Sequence, residues 1–521
     1  MKRRILVVVI GLLLVGLSIV GLASLIERLT ERQTQELYDP LRDVEINASF
    51  SSQIFPGVIV DNAIKLSPEM GDLQAEIDQH PAGTIFVIRP GVYAGQSLVP
   101  RDGDTYIGEP GALFTGAARL QDFTPDGERW VIDGQTYDEW VAGQCRDDAP
   151  RCNHAYALFF NNARLQHVPS LAEVTHGTWY FDYEGDRIYI GDDPTGHVVE
   201  LTATYDAFGG TAEDVSIINL VIEKYAGPGQ ISALNLKEAI GWTIEGVTLR
   251  YNASGGVSLG PNARFVNNRV LYNGQIGVTC AECDNALIAA NEIAYNNTAG
   301  YRDDWEAGGT KFVETENIIL RGNYVHHNDG KGLWTDGANI NTLFEDNLVV
   351  YNTADGIMHE ISFKAVIRNN VVKFNSPRTP DWLFGAQILI STSSDVEVYG
   401  NEVVVSEDGG HGITVVEQNR DERFGRNNYV HDNIIVFLGN VGQVGAAVDD
   451  GSRQDFWDPG INRFDNNVYY AADTSYPHWG WDGAQRTWEE FRRFGFEENG
   501  RLSGLVPLDA LVIPLWSPTV D

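Results

Sequence analysis

The sequence predicts an all-β solenoid, a right-handed parallel β-helix with an inserted β-rich subdomain and a C-terminal cap. Three observations predict it. An Asn (Gly once) recurs just ahead of an aliphatic residue at Asn219, Gly246, Asn268, Asn291, Asn323, Asn347, Asn370, Asn401, Asn433 and Asn467. The shorter intervals cluster near two dozen residues, the length of one solenoid coil; the longer ones carry loops. A second Asn follows five residues later at Asn273, Asn296, Asn328, Asn352 and Asn375, and short apolar runs such as Ile318-Ile319-Leu320 lie between. One coil cannot bury its apolar face alone, so coils stack, with aliphatic residues inward and Asn amides paired from coil to coil. A leucine-rich repeat would need its spaced leucines, and a propeller blade would be longer.

Each segment follows from that frame. Residues 1–26 place Lys2, Arg3 and Arg4 before an apolar run long enough to cross a bilayer. They read as a signal anchor, with a cleaved signal peptide as the alternative because Gly21-Leu22-Ala23 offers a cleavage site. Either way the remainder is expected outside the cytoplasm, membrane-anchored or secreted. Residues 27–55 lack periodicity and read as a stalk. Residues 56–120 alternate β-rich runs with Pro-Gly and Asp-Gly turns, as first coils should. Residues 121–205 break the rhythm and read as the insertion, with a hairpin from Trp179 to Ile190 turning at Glu184-Gly185-Asp186. Residues 206–475 carry the repeats. Residues 476–521 hold Trp479, Trp481 and an amphipathic stretch from Gln485 to Phe494, and read as the cap that a solenoid end requires.

Composition narrows the partners. Asp and Glu number 72 against 37 Lys and Arg, a net charge of −35. Such a chain repels nucleic acid and anionic membranes, so membrane contact falls to the N-terminal segment alone. It also argues, more weakly, against a polyanionic glycan unless a cation bridges the two. The expected partner is an oligosaccharide or polysaccharide, and the expected state a monomer. The four cysteines form two close pairs, Cys145/Cys152 and Cys280/Cys283, which an exported chain should oxidise locally.

The chemistry concentrates in residues 300–361. Gly332-Leu333-Trp334-Thr335-Asp336 and Gly356-Ile357-Met358-His359-Glu360 occupy the same position of successive coils. Alternation turns Leu333 and Ile357 inward and sends Trp334, Asp336, Met358 and Glu360 outward. Asp336 and Glu360 should then project side by side, about 4.8 Å apart. Retaining glycosidases hold their two carboxyl groups roughly 5–5.5 Å apart. Close carboxylates also raise one another's proton affinity, which suits a pair of which one stays protonated. Like charges stacked on a sheet otherwise cost stability. Trp305, Trp334, His326, His327 and Trp382 are the candidate substrate-binding side chains, with Lys311 near them in sequence.

The repeat resembles the pectate-lyase-like superfamily of right-handed β-helices over roughly residues 56–475. The pattern Gly-aliphatic-Trp-x-Asp, followed two dozen residues on by Glu, resembles the β-helical retaining β-xylosidases. That resemblance implies Asp336 as nucleophile and Glu360 as acid/base, with no cofactor. The superfamily's polysaccharide lyases, similar in their repeat, hold calcium on acidic residues and use a Lys or Arg as base. Asp303, Asp304 and Glu306 are hard oxygen donors that would suit Ca²⁺, with Lys311 as the base. The Asp-Pro-His-Glu signature of mannuronan epimerases is absent. Three functions are therefore expected, in this order: a retaining glycoside hydrolase, a calcium-dependent polysaccharide lyase, and a non-catalytic glycan-binding or envelope surface protein.

Overall fold

A computed structural model describes residues 63–377, 382–420, 423–450 and 455–518. The predicted membrane segment and stalk lie outside the described residues. Among those residues, no helix is long and apolar enough to cross a membrane. The fold is the predicted one: three long sheets, two of 13 strands and one of 12, run the length of the solenoid. Each coil contributes one strand to each, such as Ile319–Arg321 to the first, Tyr324–His326 to the second and Leu333–Asp336 to the third.

Register is strict because the interior is a column of apolar side chains. In the first sheet Leu320, Phe344, Ile367, Val398, Val430 and Phe464 stand directly above one another, each essentially fully buried. A slip of one residue would turn that column out to solvent.

The turn from first to second sheet is two residues long and needs one left-handed residue. Asn267, Ala290, Gly322, Asp346, Asn369, Gly400, Asp432 and Asn466 all have φ near +60°. Mostly Asn, Asp and Gly fill this position, as the sterics ask. The next residue is the ladder Asn. Asn347 Nδ2 donates 2.9 Å to Asn370 Oδ1 and 2.8 Å to the Leu320 carbonyl, and the same pattern runs from Asn268 to Asn467. Two predicted rungs are corrected here. Asn219 (φ 55°) and Gly246 (φ 66°) occupy the left-handed column, and Leu220 and Val247 take the ladder position. Asn268 is therefore the first rung, accepting from the Val247 amide at 2.9 Å.

The second ladder runs from Asn252 through Asn273, Asn296, Asn328, Asn352 and Asn375 to Gln387, each contact 2.8–2.9 Å. Thr315, Asn339, Ser362, Ser393, Asn428 and Asn462 make a third at the turn after the third sheet.

The insertion leaves after Ala112–Thr115 and returns at Phe208–Gly209. Its entry and exit strands, Ala117–Leu120 and Val199–Thr202, pair antiparallel. The expected hairpin forms from Thr178–Asp182 and Arg187–Ile190. A separate core of Leu158, Trp179, Phe181, Ile188, Ile190 and Leu201 holds this part together. The coils on either side of it stack directly, Leu113 on Val221 and Tyr106 on Ile217. Both expected disulfides are present, Cys145–Cys152 and Cys280–Cys283.

At the C-terminal end the helix is shorter than the amphipathic stretch suggests, Trp488–Arg492, begun by a capping box of Thr487 and Glu490. Trp479, Trp481, Phe491 and Phe496 are buried over the end of the core against Phe464 and Tyr469.

Candidate active site

The third sheet carries the site on its outer face. Strands Leu333–Asp336 and Ile357–Glu360 pair in register, so Asp336 lies opposite Glu360 on the adjacent coil. Strand spacing puts their backbones about 4.8 Å apart. Leu333 and Ile357 point into the core and Trp334 and Met358 outward.

The preceding strand, Gly308–Val313, delivers Lys311. Its Nζ is 3.0 Å from Asp336 Oδ2, 3.6 Å from Glu306 Oε1 and 4.0 Å from the centre of the Trp334 ring. A second ammonium, Lys331, lies 4.4 Å from the same ring and donates 3.0 Å to the Asp303 carbonyl. Trp334 Nε1 donates 3.2 Å to Glu360 Oε2. The two carboxylates thus live in unlike surroundings. Asp336, its side chain 22% exposed, faces an ammonium. Glu360 is buried beside an indole, and its carboxyl is pushed above the usual range first by burial and then by the Asp336 charge, with Lys331 opposing.

Trp334 needs a correction. Its outward position predicted an exposed sugar platform, yet it is 2% exposed. Two ammoniums, Lys311 and Lys331, lie over its ring, and Met358 stands beside it on the next coil, the start of a buried cluster that runs on along the face. An outward side chain is solvent-exposed only where its neighbours leave it open, and here two lysine side chains lie over the ring. Trp334 is a wall that holds Glu360 and two lysines in place. Trp382, half-buried, lies farther along the same face, near Gly480.

The other predicted contacts divide. Trp305 is half-buried against Tyr301 and packs with the Cys145–Cys152 loop, so it ties the insertion to the solenoid. His326 and His327 belong to the second sheet and not to the face with Asp336. His326 is fully buried and meets Glu292 at 3.4 Å; burial takes its pKa down to about 3. His327 is one rung of an aromatic stack that runs Tyr251, Tyr272, Tyr295, His327, Tyr351, Phe374. The stacked rings, His327 among them, fill a turn column whose residues all have positive φ, while His326 ends a strand and stacks on Tyr324.

The expected calcium ligands do not converge. Asp304 is bound by Arg302, with Nε to Oδ1 at 2.9 Å, and Glu306 accepts from Gln230 at 2.6 Å and faces Lys311. Among the described residues no group of three His, Cys, Asp or Glu side chains is arranged to hold a metal ion.

Two site residues escaped sequence reasoning. Lys331 and Asp355 each precede the Gly of one motif copy, so extending the alignment by one residue would have found them. Asp355 is buried and accepts 2.7 Å from the Ala386 amide, which ties it to the strand of the next coil.

Residues 232–403 match the family model described as right handed beta helix region. No curated protein matches the chain. Among solved structures, XylC in complex with xylose is 15% identical with a TM-score of 0.62, over 84% of this chain and 83% of that one. The Azotobacter vinelandii mannuronan C-5 epimerase AlgE6 A-module is 14% identical with a TM-score of 0.38, over 84% and 98%. A mannuronic acid specific polysaccharide family 6 lyase from human gut microbiota is 11% identical with a TM-score of 0.40, over 85% and 90%. The chain is a right-handed parallel β-helix, as the sheets and the matched region both show. The structures it is similar to include carbohydrate-active enzymes, at identities that speak for the fold alone.

Proposed function

We propose that this protein is a retaining glycoside hydrolase in which Asp336 is the nucleophile and Glu360 the acid/base. The observation that carries the reading is the in-register Asp336–Glu360 pair in two unlike environments. One strand spacing matches the separation that retaining hydrolysis uses. Glu360, held protonated by burial and by its neighbour's charge, donates its proton to the leaving oxygen. Asp336 attacks the anomeric carbon and forms a glycosyl ester. Glu360, now ionised, takes a proton from water as that water releases the sugar. Lys311 positions Asp336, and the Trp334 N–H orients Glu360.

The lyase alternative would need Lys311 free to accept a proton from the substrate. It sits instead between Asp336 and Glu306 and over an indole ring, a geometry that favours a fixed cation.

Aryl β-xylosides are the first substrates to try, since the fold is similar to that of XylC, solved with xylose. Proton NMR of the first product should show the anomeric configuration of the substrate, with full activity in chelator. Inverted product would remove the retaining mechanism. Unsaturated fragments from a uronic-acid glycan would move the function to a lyase. Glycan retention without any product would leave a binding protein.

A further inference from the structure

A cavity of about 290 Å³ lies where the insertion meets the solenoid. Its volume is near the lower end of ligand pockets, which run from about 300 to 1,000 Å³, and suits one sugar ring better than a chain of them. Three arginines line it, Arg146, Arg151 and Arg164, against one carboxylate, Asp148. In a chain of net charge −35 this is a local reversal of sign.

The donors outnumber their partners. Arg146 is engaged by Asp148 at 3.3 Å and by Asp329. Arg151 and Arg164 have no carboxylate partner among the described residues. Arg164 Nη2 donates 3.1 Å to the Ala253 carbonyl, and the residue, half-buried, lines the cavity. Arg151 Nη1 is 3.3 Å from His167 Nε2. A guanidinium only donates, so that ring nitrogen must accept, and the neutral ring carries its proton on Nδ1. Burial and the neighbouring cations keep His167 neutral by lowering its pKa well below the ordinary value. His167 Nδ1 and Trp179 Nε1, both on cavity-lining residues, are buried with no hydrogen-bond partner. Each is a donor. A site furnished with unspent donors and uncompensated cations is complementary to an anion.

The walls add a second requirement. Tyr156, Ala157 and Leu165 give the cavity an apolar side opposite in character to the guanidiniums. A ring with one apolar face and a carboxylate meets both. The position agrees with this. Thr298–Gly300 border the cavity, and the same loop continues to Glu306, which faces Lys311. The Arg146 amide fixes that loop by donating 3.0 Å to the Gly300 carbonyl.

We propose that this cavity binds a uronic-acid residue, its carboxylate on Arg151 and Arg164. The anion follows from the cavity alone; that it is a sugar rests on the reading of the chain as carbohydrate-active. Calorimetry on the full chain tests it, with D-glucuronate, D-glucose and inorganic sulfate as probes. No turnover is involved, so an inactive hydrolase leaves the result untouched. Glucuronate should bind at least tenfold more tightly than glucose and than sulfate. Arg164→Gln and Arg151→Gln should each weaken glucuronate at least tenfold, with circular dichroism unchanged. Should Arg164→Gln fail to fold, the half-buried Arg151→Gln decides. Equal binding of glucose, equal binding of sulfate, no binding of glucuronate, or an indifferent Arg151→Gln would each overturn the proposal.

Discussion

The solenoid stacks charged residues on its outer faces in two opposite ways. On the first sheet Arg321, Glu345 and Arg368 lie in register, with Glu345 between the two guanidiniums at 2.8 Å from Arg321 Nε and 2.7 Å from Arg368 Nε. On the second sheet Glu223 meets Arg250 at 2.8 Å, and Arg269 meets Glu292 at 2.9 Å. These rows alternate in sign, which is how a stack of strands is stabilised by its charges. On the third sheet Asp336 and Glu360 stack like on like. The fold has the means to alternate and does not use them there. Lys311 comes from the neighbouring rung but two residues out of register with Asp336, where Val313 stands opposite, and Lys331 from the start of Asp336's own coil, and they leave the two carboxyl groups adjacent. The comparison separates charge placed for stability from charge placed for chemistry.

The largest break in that comparison should come from Asp336→Asn. If the pair is chemical, turnover falls on the order of 10³-fold or more, while circular dichroism shows the fold intact. Unchanged turnover on a good substrate would make the row structural. Next in size is Asn347→Ala. It strands the Asn323 amide and leaves a cavity in the ladder, so urea unfolding should show a loss of about 2–3 kcal/mol. Glu345→Ala should cost less, about 1 kcal/mol, because both arginines are more than one-third exposed. A loss as large as that of Asn347→Ala would mean the alternating row matters more than its exposure allows.

The smallest effect is the sharpest. The Glu360 carboxyl must be protonated to act as acid, and its raised pKa keeps that proton to higher pH, so kcat/KM falls as pH rises through it. Lys331 opposes the rise. Lys331→Met should therefore move the alkaline limb to higher pH, and a limb that stays or moves down would remove Glu360 from the acid role.

The fold was legible because its turns make specific chemical demands. A two-residue turn with one left-handed position, followed by an amide that must bond up and down the stack, admits few residues, and they recur. Two columns one residue apart, both rich in Asn, were merged into one in the first coils, which is how Asn219 and Gly246 were misplaced. The third ladder went unseen because Thr, Asn and Ser share its work. Asp336 and Glu360 were legible because equivalent positions on adjacent coils are neighbours by construction. The surroundings of Trp334 were not, since they depend on two lysine side chains from different coils meeting over its ring. The arginine cavity was least legible: Arg151, Arg164 and Thr298 meet only after the insertion has docked.

The insertion also bears on how the chain reaches this structure. A solenoid grows by adding each coil to the one just made, with contacts that stay short in sequence. That order is interrupted once, where Leu113 must wait for Val221. The closing strands Ala117–Leu120 and Val199–Thr202 bring the two points together only when the insertion has formed its own core. Coils before the insertion therefore carry a larger loop-closure cost than those after it. Folding is set to nucleate in the repeats that follow, with the first coils joining late and the insertion acting as the clasp that lets them.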